Sequence, residues 1–318
     1  MASLFITGNG FDIAHGIPTK YNDFRSFLIK KYPTAYKLRN EVTFIEDLEN
    51  IDYQEFSAEI LLSAIDRITG EDWSNFEENL AYVNFNHKFP PQHYDEDEVT
   101  EEEDNELAAE YLVYVSGISS TYIECSKLWQ KLFQLWIKNI QKNINNNIYS
   151  KKENLCNLFK ENDPLFFSFN YTKTLQKLYG IKKVTHIHNQ HGQKLIFGHG
   201  KERAQYSDTC HDLFGTSGLS SSFLDDMLSN LKKDTSFSLK NHEYFFQKLN
   251  RDIDHVYSYG FSYGKVDSVY IKEIIRRISP TATWFFTSFE ASDKNALRIK
   301  KIKLRRYGFE GHFGTYDG

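Results

Sequence analysis

Leu4-Phe5-Ile6-Thr7-Gly8-Asn9-Gly10-Phe11-Asp12 is the stretch on which the fold turns. Its first four residues are apolar and β-prone and run into Gly8, the pattern of a buried strand entering a turn. A helical pattern follows, so the glycine turn joins a strand to a helix. Glycines at 8 and 10 let the backbone approach a ligand closely, and amides at a helix start seat phosphate. The same turn can also exist for its own sake, because glycine's backbone freedom is enough to explain it. The third glycine of the G-x-G-x-x-G dinucleotide fingerprint would fall at Ile13, so that fingerprint is incomplete. Gly16-Ile17-Pro18 adds a second rigid turn close by.

From Tyr21 to about Tyr82 the apolar residues recur at intervals of three and four, as in Phe24, Phe27 and Leu28, then Phe56, Ile60, Leu61 and Ile65. That is the spacing of amphipathic helices. Ser74 and Glu77 have the form of a capping box and predict a helix from Asn75. Phe89 to Asn105 breaks the pattern with Pro90, Pro91 and an acidic run, and reads as an exposed loop. Cys125, Leu128, Leu132, Leu135, Trp136 and Ile140 then trace one face of a long helix that the asparagines at 143–147 end.

The second half changes character. Leu165–Phe169, Val184–His188, Leu195–Phe197, Val256–Tyr259 and Thr283–Thr287 are short β-prone runs set among helical patterns. Strands alternating with helices imply a mainly parallel sheet covered on both faces. The expected organisation is an α/β core from residues 1–20 and 160–318, with 21–159 as a large helical insertion after the first strand.

The 318 residues, 40% hydrophobic and 25% charged, suit a folded protein, and the 16% aromatic content is read as core filling. A net charge of −5 gives no general attraction to phosphate backbones, so nucleic-acid binding would need a local basic patch. Arg298 to Arg306, with Lys300, Lys301, Lys303 and Arg305 between them, is one, interleaved with Leu297, Ile299, Ile302 and Leu304; a solvated helix face is the favoured reading of it. Cys125, Cys156 and Cys210 form no CxxC pair, which argues against a structural zinc site or a disulfide framework and for a reducing cytosol. No signal peptide or membrane-spanning run is expected, and the predicted location is cytoplasmic.

Four segments carry candidate chemistry. The first is the Gly8–Asp12 turn. The second is Ser168-Phe169-Asn170-Tyr171-Thr172 at the carboxyl end of a strand, where ligands of open α/β sheets collect and where Asn170 offers an amide. Either Asn170 or Thr172 alternatively caps the next helix. The third is His186-Ile187-His188-Asn189-Gln190-His191, where alternation along a strand puts His186 and His188 on one face. A histidine there can act as a general base or remain a hydrogen-bonded structural residue. The run also resembles the HxHxDH string of metallo-β-lactamase-type hydrolases, with Gln190 in place of the aspartate. The fourth is Gly260-Phe261-Ser262-Tyr263, with Asp267 as the N-cap of the helix that follows.

Together these motifs resemble the AbiH-type bacteriophage abortive-infection family. Leu4–Asp12, His15-Gly16-Ile17-Pro18, Tyr21-Asn22-Asp23-Phe24, Trp73–Glu77, Phe169–Thr172, His186–His188 and Tyr259–Ser262 occur in that family's order. AbiH proteins in turn resemble the Sir2 superfamily, whose NAD site uses a GAG turn, a GIP loop, an asparagine motif, an HG histidine and a late GxS turn. Gly8 and Gly10 match the first turn, Gly16–Pro18 the loop, Asn170 the asparagine, His188 the histidine, and Gly260 with Ser262 the late turn. Thr172 stands where sirtuins have an aspartate, Asn189 where they have a glycine, and the cysteine pairs of their zinc module are missing, so deacetylation is not implied.

The resemblance implies a Rossmann-like, Sir2-like fold and an anti-phage effector that hydrolyses NAD. Asn170 and His188 would be catalytic, with His186 the fallback. Gly8, Asn9, Gly10, Phe11, Asp12, Gly260, Phe261, Ser262 and Asp267 would hold the dinucleotide. NAD is substrate or ligand, and no metal is expected. A homo-oligomer, a phage-derived trigger or a partner defence protein would fit such an effector, while a membrane or nucleic-acid partner is not expected. Two other functions stay open: a nucleotide-binding sensor without turnover, and a metal-dependent hydrolase or nuclease at His186, His188 and His191.

Overall fold

The computed structural model describes residues 2–89, 101–201 and 225–318 of the chain. It divides into two compact units, one of Met1–Lys20, Gln134–Ile196 and Lys233–Gly318, the other of Tyr21–Phe133 and Phe197–Lys232. Residues 134–159 therefore group with the sheet and 197–232 with the helices.

The first unit holds a six-stranded sheet, all of it parallel: β1 (Ala2–Thr7), β2 (Leu165–Ser168), β3 (Val184–His186), β4 (Ile253–Tyr259), β5 (Thr283–Thr287) and β6 (His312–Tyr316). The strand order is β3-β2-β1-β4-β5-β6. This is the order of doubly wound, Rossmann-like sheets, in which connections run outward in both directions from a central crevice. Strand alternation explains the two layers. Leu4, Ile6, Phe167, Val256, Trp284 and Phe286 point to one face and pack with Phe246, Tyr270, Ile271, Ile274 and Leu304. Phe5, Phe166, Tyr257 and Tyr259 point to the other, against Phe11, Leu155, Phe159 and Leu175. Each such buried side chain contributes about 1.5–3 kcal/mol.

Several sequence expectations change. β3 stops at His186, because the chain turns there: Asn189 N donates to His186 O at 3.1 Å and Asn189 takes a left-handed φ of 61°. Leu195–Phe197 forms no strand: Ile196 N bonds His188 O, and the Phe197 ring stacks on Phe133 at 5.1 Å in the second unit. β6 was not expected, since His312-Phe313-Gly314-Thr315-Tyr316 shows no clean apolar alternation.

The second unit is helical. Helices Tyr21–Lys31 and Tyr53–Thr69 bury Phe24, Leu28, Phe56, Ile60, Leu61 and Ile65, as their spacing predicts. The long helix Glu101–Asn145 starts inside the expected acidic loop, so 101–105 are helical; residues 90–100 of that loop lie outside the described residues. Asn147, in left-handed conformation at φ 54°, follows its end. The Ser74/Glu77 capping box does not form. Glu77 instead accepts the Tyr21 hydroxyl at 2.6 Å, and Asn75 takes the cap position without a side-chain bond. No described helix is long and apolar enough to cross a membrane.

The carboxyl ends of β1 and β4 meet at glycines. Gly8 N donates to Tyr259 O and Gly10 N to Gly260 O, both at 2.9 Å. A Cβ on Gly8 would lie 2.6 Å from Phe261 Cα, and one on Gly10 would lie 2.6 Å from Gly260 Cα. Gly260 also has φ +62°. We expect Gly260→Ala to overlap Gly10 and to strain the backbone, at a cost of about 3 kcal/mol. The melting temperature should fall by roughly 5–10 °C. Gly16→Ala, with φ +74° but open space around it, should cost about 1 kcal/mol; equal melting temperatures for the two variants would contradict this packing.

Candidate functional site

The crevice between β1 and β4 is where the strand order reverses, and ligands of doubly wound sheets bind there. Asn9 and Ser262, both exposed, stand on the two turns that flank it. The amides of Gly8 and Gly10 are committed to the carbonyls of Tyr259 and Gly260, so the expected phosphate seat on those two groups is corrected: the glycines join the two turns. Phe11 is fully buried in the core and Phe261 is stacked on Phe169 at 4.0 Å, so both rings act as packing.

Beside the crevice lie two polar clusters. The first gathers the ends of β1 and β2. Asp12, 1% exposed, accepts a 2.5 Å bond on Oδ2 from the Thr172 hydroxyl, which is also 3.0 Å from Thr174 Oγ1. Burial pushes the Asp12 carboxyl up to about 6, against the lowering effect of Thr172, Thr174 and Asn170. Its Oδ1 and the buried Asn170 Nδ2 have no partner in full hydrogen-bond geometry, although the Asn170 amide lies near enough to favour the carboxylate. Neither Asn170 nor Thr172 caps the following helix, Thr174–Tyr179, whose cap residue Lys173 donates its amide to Gln141 Oε1.

The backbone under Asn170 is held from both sides. Its amide donates to Ser168 Oγ at 3.1 Å, and Ser168 Oγ accepts from Thr7 at 3.0 Å. Its carbonyl accepts from His186 Nδ1 at 2.8 Å, and His186 Nε2 faces Gln176 Nε2 at 2.8 Å. A proton on Nδ1 and an acceptor at Nε2 satisfy both contacts. Desolvation, opposed by the Asn170 bond, lowers the His186 imidazole to about 4. His186 is therefore a neutral structural residue that positions Asn170.

The second cluster is built around His188, which is 3% exposed. The strand has ended before it, so His188 does not share a face with His186. Its ring packs on Phe169 at 5.6 Å, Tyr171 at 5.8 Å and Tyr270 at 5.8 Å. His188 Nε2 lies 3.0 Å from Asp267 Oδ1, at contact distance but outside good alignment for a ring N–H bond. Lys233 Nζ, 2% exposed along its side chain, approaches the same oxygen at 3.4 Å. Asp267 occupies the cap position of helix Ser268–Arg277 yet makes no side-chain cap bond, so the expected N-cap role is replaced by this charge cluster. Burial raises the Asp267 carboxyl, but Lys233 and His188 together outweigh it and hold the group well below the ordinary carboxylate range. Lys233 was not legible from the sequence, because its partner is 34 residues away.

The segment Phe169–Thr172 joins the two clusters: it gives Asn170 and Thr172 to the first and packs Phe169 and Tyr171 on His188 of the second. Asn189 takes φ 61°, the conformation a glycine would adopt there, and its side-chain amide donates to Lys194 O. The His186/His188/His191 trio is not a donor set, since both His186 nitrogens are engaged and no group of three His, Cys, Asp or Glu among the described residues is arranged for a metal ion.

Asp12 makes stability depend on pH. Its folded value of about 6 exceeds the ordinary 3.8, so the folded chain holds this proton more tightly than the unfolded chain. The resulting stabilisation is complete below pH 4, is lost as pH rises to about 6, and changes little above that. Asp12→Asn keeps the neutral form at every pH. It should be more stable than wild type at pH 7.5 by on the order of 3 kcal/mol, with little difference at pH 4. Urea unfolding at the two pH values measures this, and a variant that is weaker at pH 7.5 would contradict it.

The chain matches the family model described as bacteriophage abortive infection AbiH over residues 4–288. No curated protein and no solved structure matches it. The matched span holds the glycine junction and every residue of both polar clusters, and it ends before helix Lys294–Arg306 and β6. The chain belongs to the AbiH family of bacteriophage abortive-infection proteins.

Proposed function

We propose that this abortive-infection protein binds a dinucleotide at the β1/β4 crevice and hydrolyses the glycosidic bond of NAD with Asn170 and His188. The observation that carries the reading is the pair of buried polar clusters joined by Phe169–Thr172, beside the crevice where the strand order reverses. The Sir2 resemblance supports it at two points where the sequence departs from that pattern. Thr172 lacks the sirtuin carboxylate, but its hydroxyl is bonded to Asp12, which supplies one at the same place. Asn189 replaces a glycine while keeping its left-handed turn.

Release of nicotinamide leaves an oxocarbenium-like ribose, so the protein has to orient the leaving group, hold the ribose and deprotonate a water or hydroxyl. Asn170 Nδ2 is a buried donor without a full partner, suited to the carboxamide or to the attacking water. Asp267 beside Nε2 favours a proton on that nitrogen of His188, which makes Nδ1 the atom that accepts one. The carboxylate then stabilises the imidazolium, as an acidic partner does for a histidine base. Lys233 keeps Asp267 ionised. Ser262 and Asn9, whose side-chain amide also donates to Thr19 O at 2.8 Å, are exposed groups able to meet the diphosphate in place of the committed glycine amides. The burial of Asn170 and His188, 6% and 3% exposed, favours a second reading, a nucleotide sensor without turnover.

Purified protein incubated with NAD should release nicotinamide. Asn170→Ala and His188→Ala should each lower the rate at least 100-fold, the usual scale of a lost acid–base group. Asp267→Asn should cost about tenfold in rate, because the imidazolium that forms on His188 loses the carboxylate beside it. Absence of release by wild type in every assembly state, with nucleotide retained through purification, would favour the sensor. Unchanged rates in the Asn170 and His188 variants would overturn the catalytic assignment.

A further inference from the structure

Helix Lys294–Arg306 contains seven cationic residues and no acidic one, in a chain whose net charge is −5. Two of the seven are engaged elsewhere in the first unit. Lys300 pairs with Glu290, and Lys303 donates to Ser262 O. The other five, Lys294, Arg298, Lys301, Arg305 and Arg306, line one shallow groove. None of those five makes an ion pair among the described residues. Among the described residues no acidic side chain lines the groove, and its apolar part comes from Leu297, Ile302 and Phe313.

The array has a fixed geometry. At 1.5 Å of rise per residue, positions 294, 298, 301 and 305 place a cation every ~4.5–6 Å along about 16 Å of helix. Arg305 is locked in place: its guanidinium donates to Phe309 O at 2.7 Å and Gly311 O at 2.9 Å and lies 4.6 Å from the Phe313 ring centre. Lys301 Nζ lies 5.4 Å from the same ring. Regularly spaced cations without a counter-charge among the described residues, set beside apolar side chains along one strip, match a partner that is a row of anions alternating with apolar groups. A bilayer surface cannot enter a groove, whereas a flexible strand can lie along one.

We infer that this groove binds the phosphate backbone of single-stranded nucleic acid, with Leu297 and Ile302 against sugars and bases. With Phe313 already covered by Lys301 and Arg305, contacts to phosphate dominate, so binding is largely independent of base sequence. The inference stands apart from the NAD reading, which uses other residues, and it concerns a helix beyond the span of the family match.

Fluorescence anisotropy with labelled 12-nucleotide oligo-dT and oligo-U tests it on the full chain. Four to five neutralised phosphates should make log K fall with log salt at a slope of about −3. The double variant Arg298→Glu/Lys301→Glu should bind at least tenfold more weakly at 50 mM salt, with a slope shallower by about 1.4. A second pair, Lys294→Glu/Arg306→Glu, should behave alike, and for both pairs an unchanged melting temperature confirms folding. Oligonucleotide binding that is absent at low salt, or equal in wild type and both folded variants, would sink the inference. So would tighter binding of a 12-residue poly-glutamate peptide, or capture by phosphatidylserine vesicles without oligonucleotide binding; these would assign the groove to an acidic protein segment or to a membrane.

Discussion

The junction of Gly8, Gly10 and Gly260 is the constraint from which the first unit is built. Two backbone segments meet there with no room for a Cβ, and the hydrogen bonds Gly8 N to Tyr259 O and Gly10 N to Gly260 O hold the contact. β1 and β4 pair over their full length and end together, which sets the crevice at the reversal of strand order. The turns that leave this junction then carry Asp12 in one direction and Phe261 toward Phe169 in the other. Any ligand bound beside it meets side chains from both halves of the sheet.

Around that junction the sequence invests in buried charge, which is costly without a partner. Asp267 has two partners, Lys233 and His188, and stays ionised. Asp12 has hydroxyls and an amide but no cation, and its carboxyl moves toward neutrality as a result. Two carboxylates near one crevice are thus tuned in opposite directions by what surrounds them. Such separation is a mark of sites that divide acid and base roles.

Much of this was readable in the amino-acid order. Periodicity and turn residues placed five of the six strands and the turns after β1, β2 and β4, because those are local properties. β6 escaped because an edge strand, half-exposed and holding Gly314, carries little hydrophobic signal. The face of His188 was misjudged because β3 ends early; the turn-forming Asn189-Gln190 that follows was the available clue. The amides of Gly8 and Gly10 looked free because their acceptors lie some 250 positions away in the chain. Lys233 and the cap-free Asp267 were invisible for the same reason, since no local pattern records a pairing across 34 residues.

β6 closes the sheet on one side and pairs only with β5 among the described residues. A strand in that position presents a row of open peptide groups, a template on which another chain can extend the sheet. Here Lys301 and Arg305 sit over Phe313 of that very strand. A second copy approaching edge to edge would bring its own lysine and arginine against them, and like charges at that range repel. Positive charge set beside an open strand edge is one of the devices that disfavour pairing with another chain.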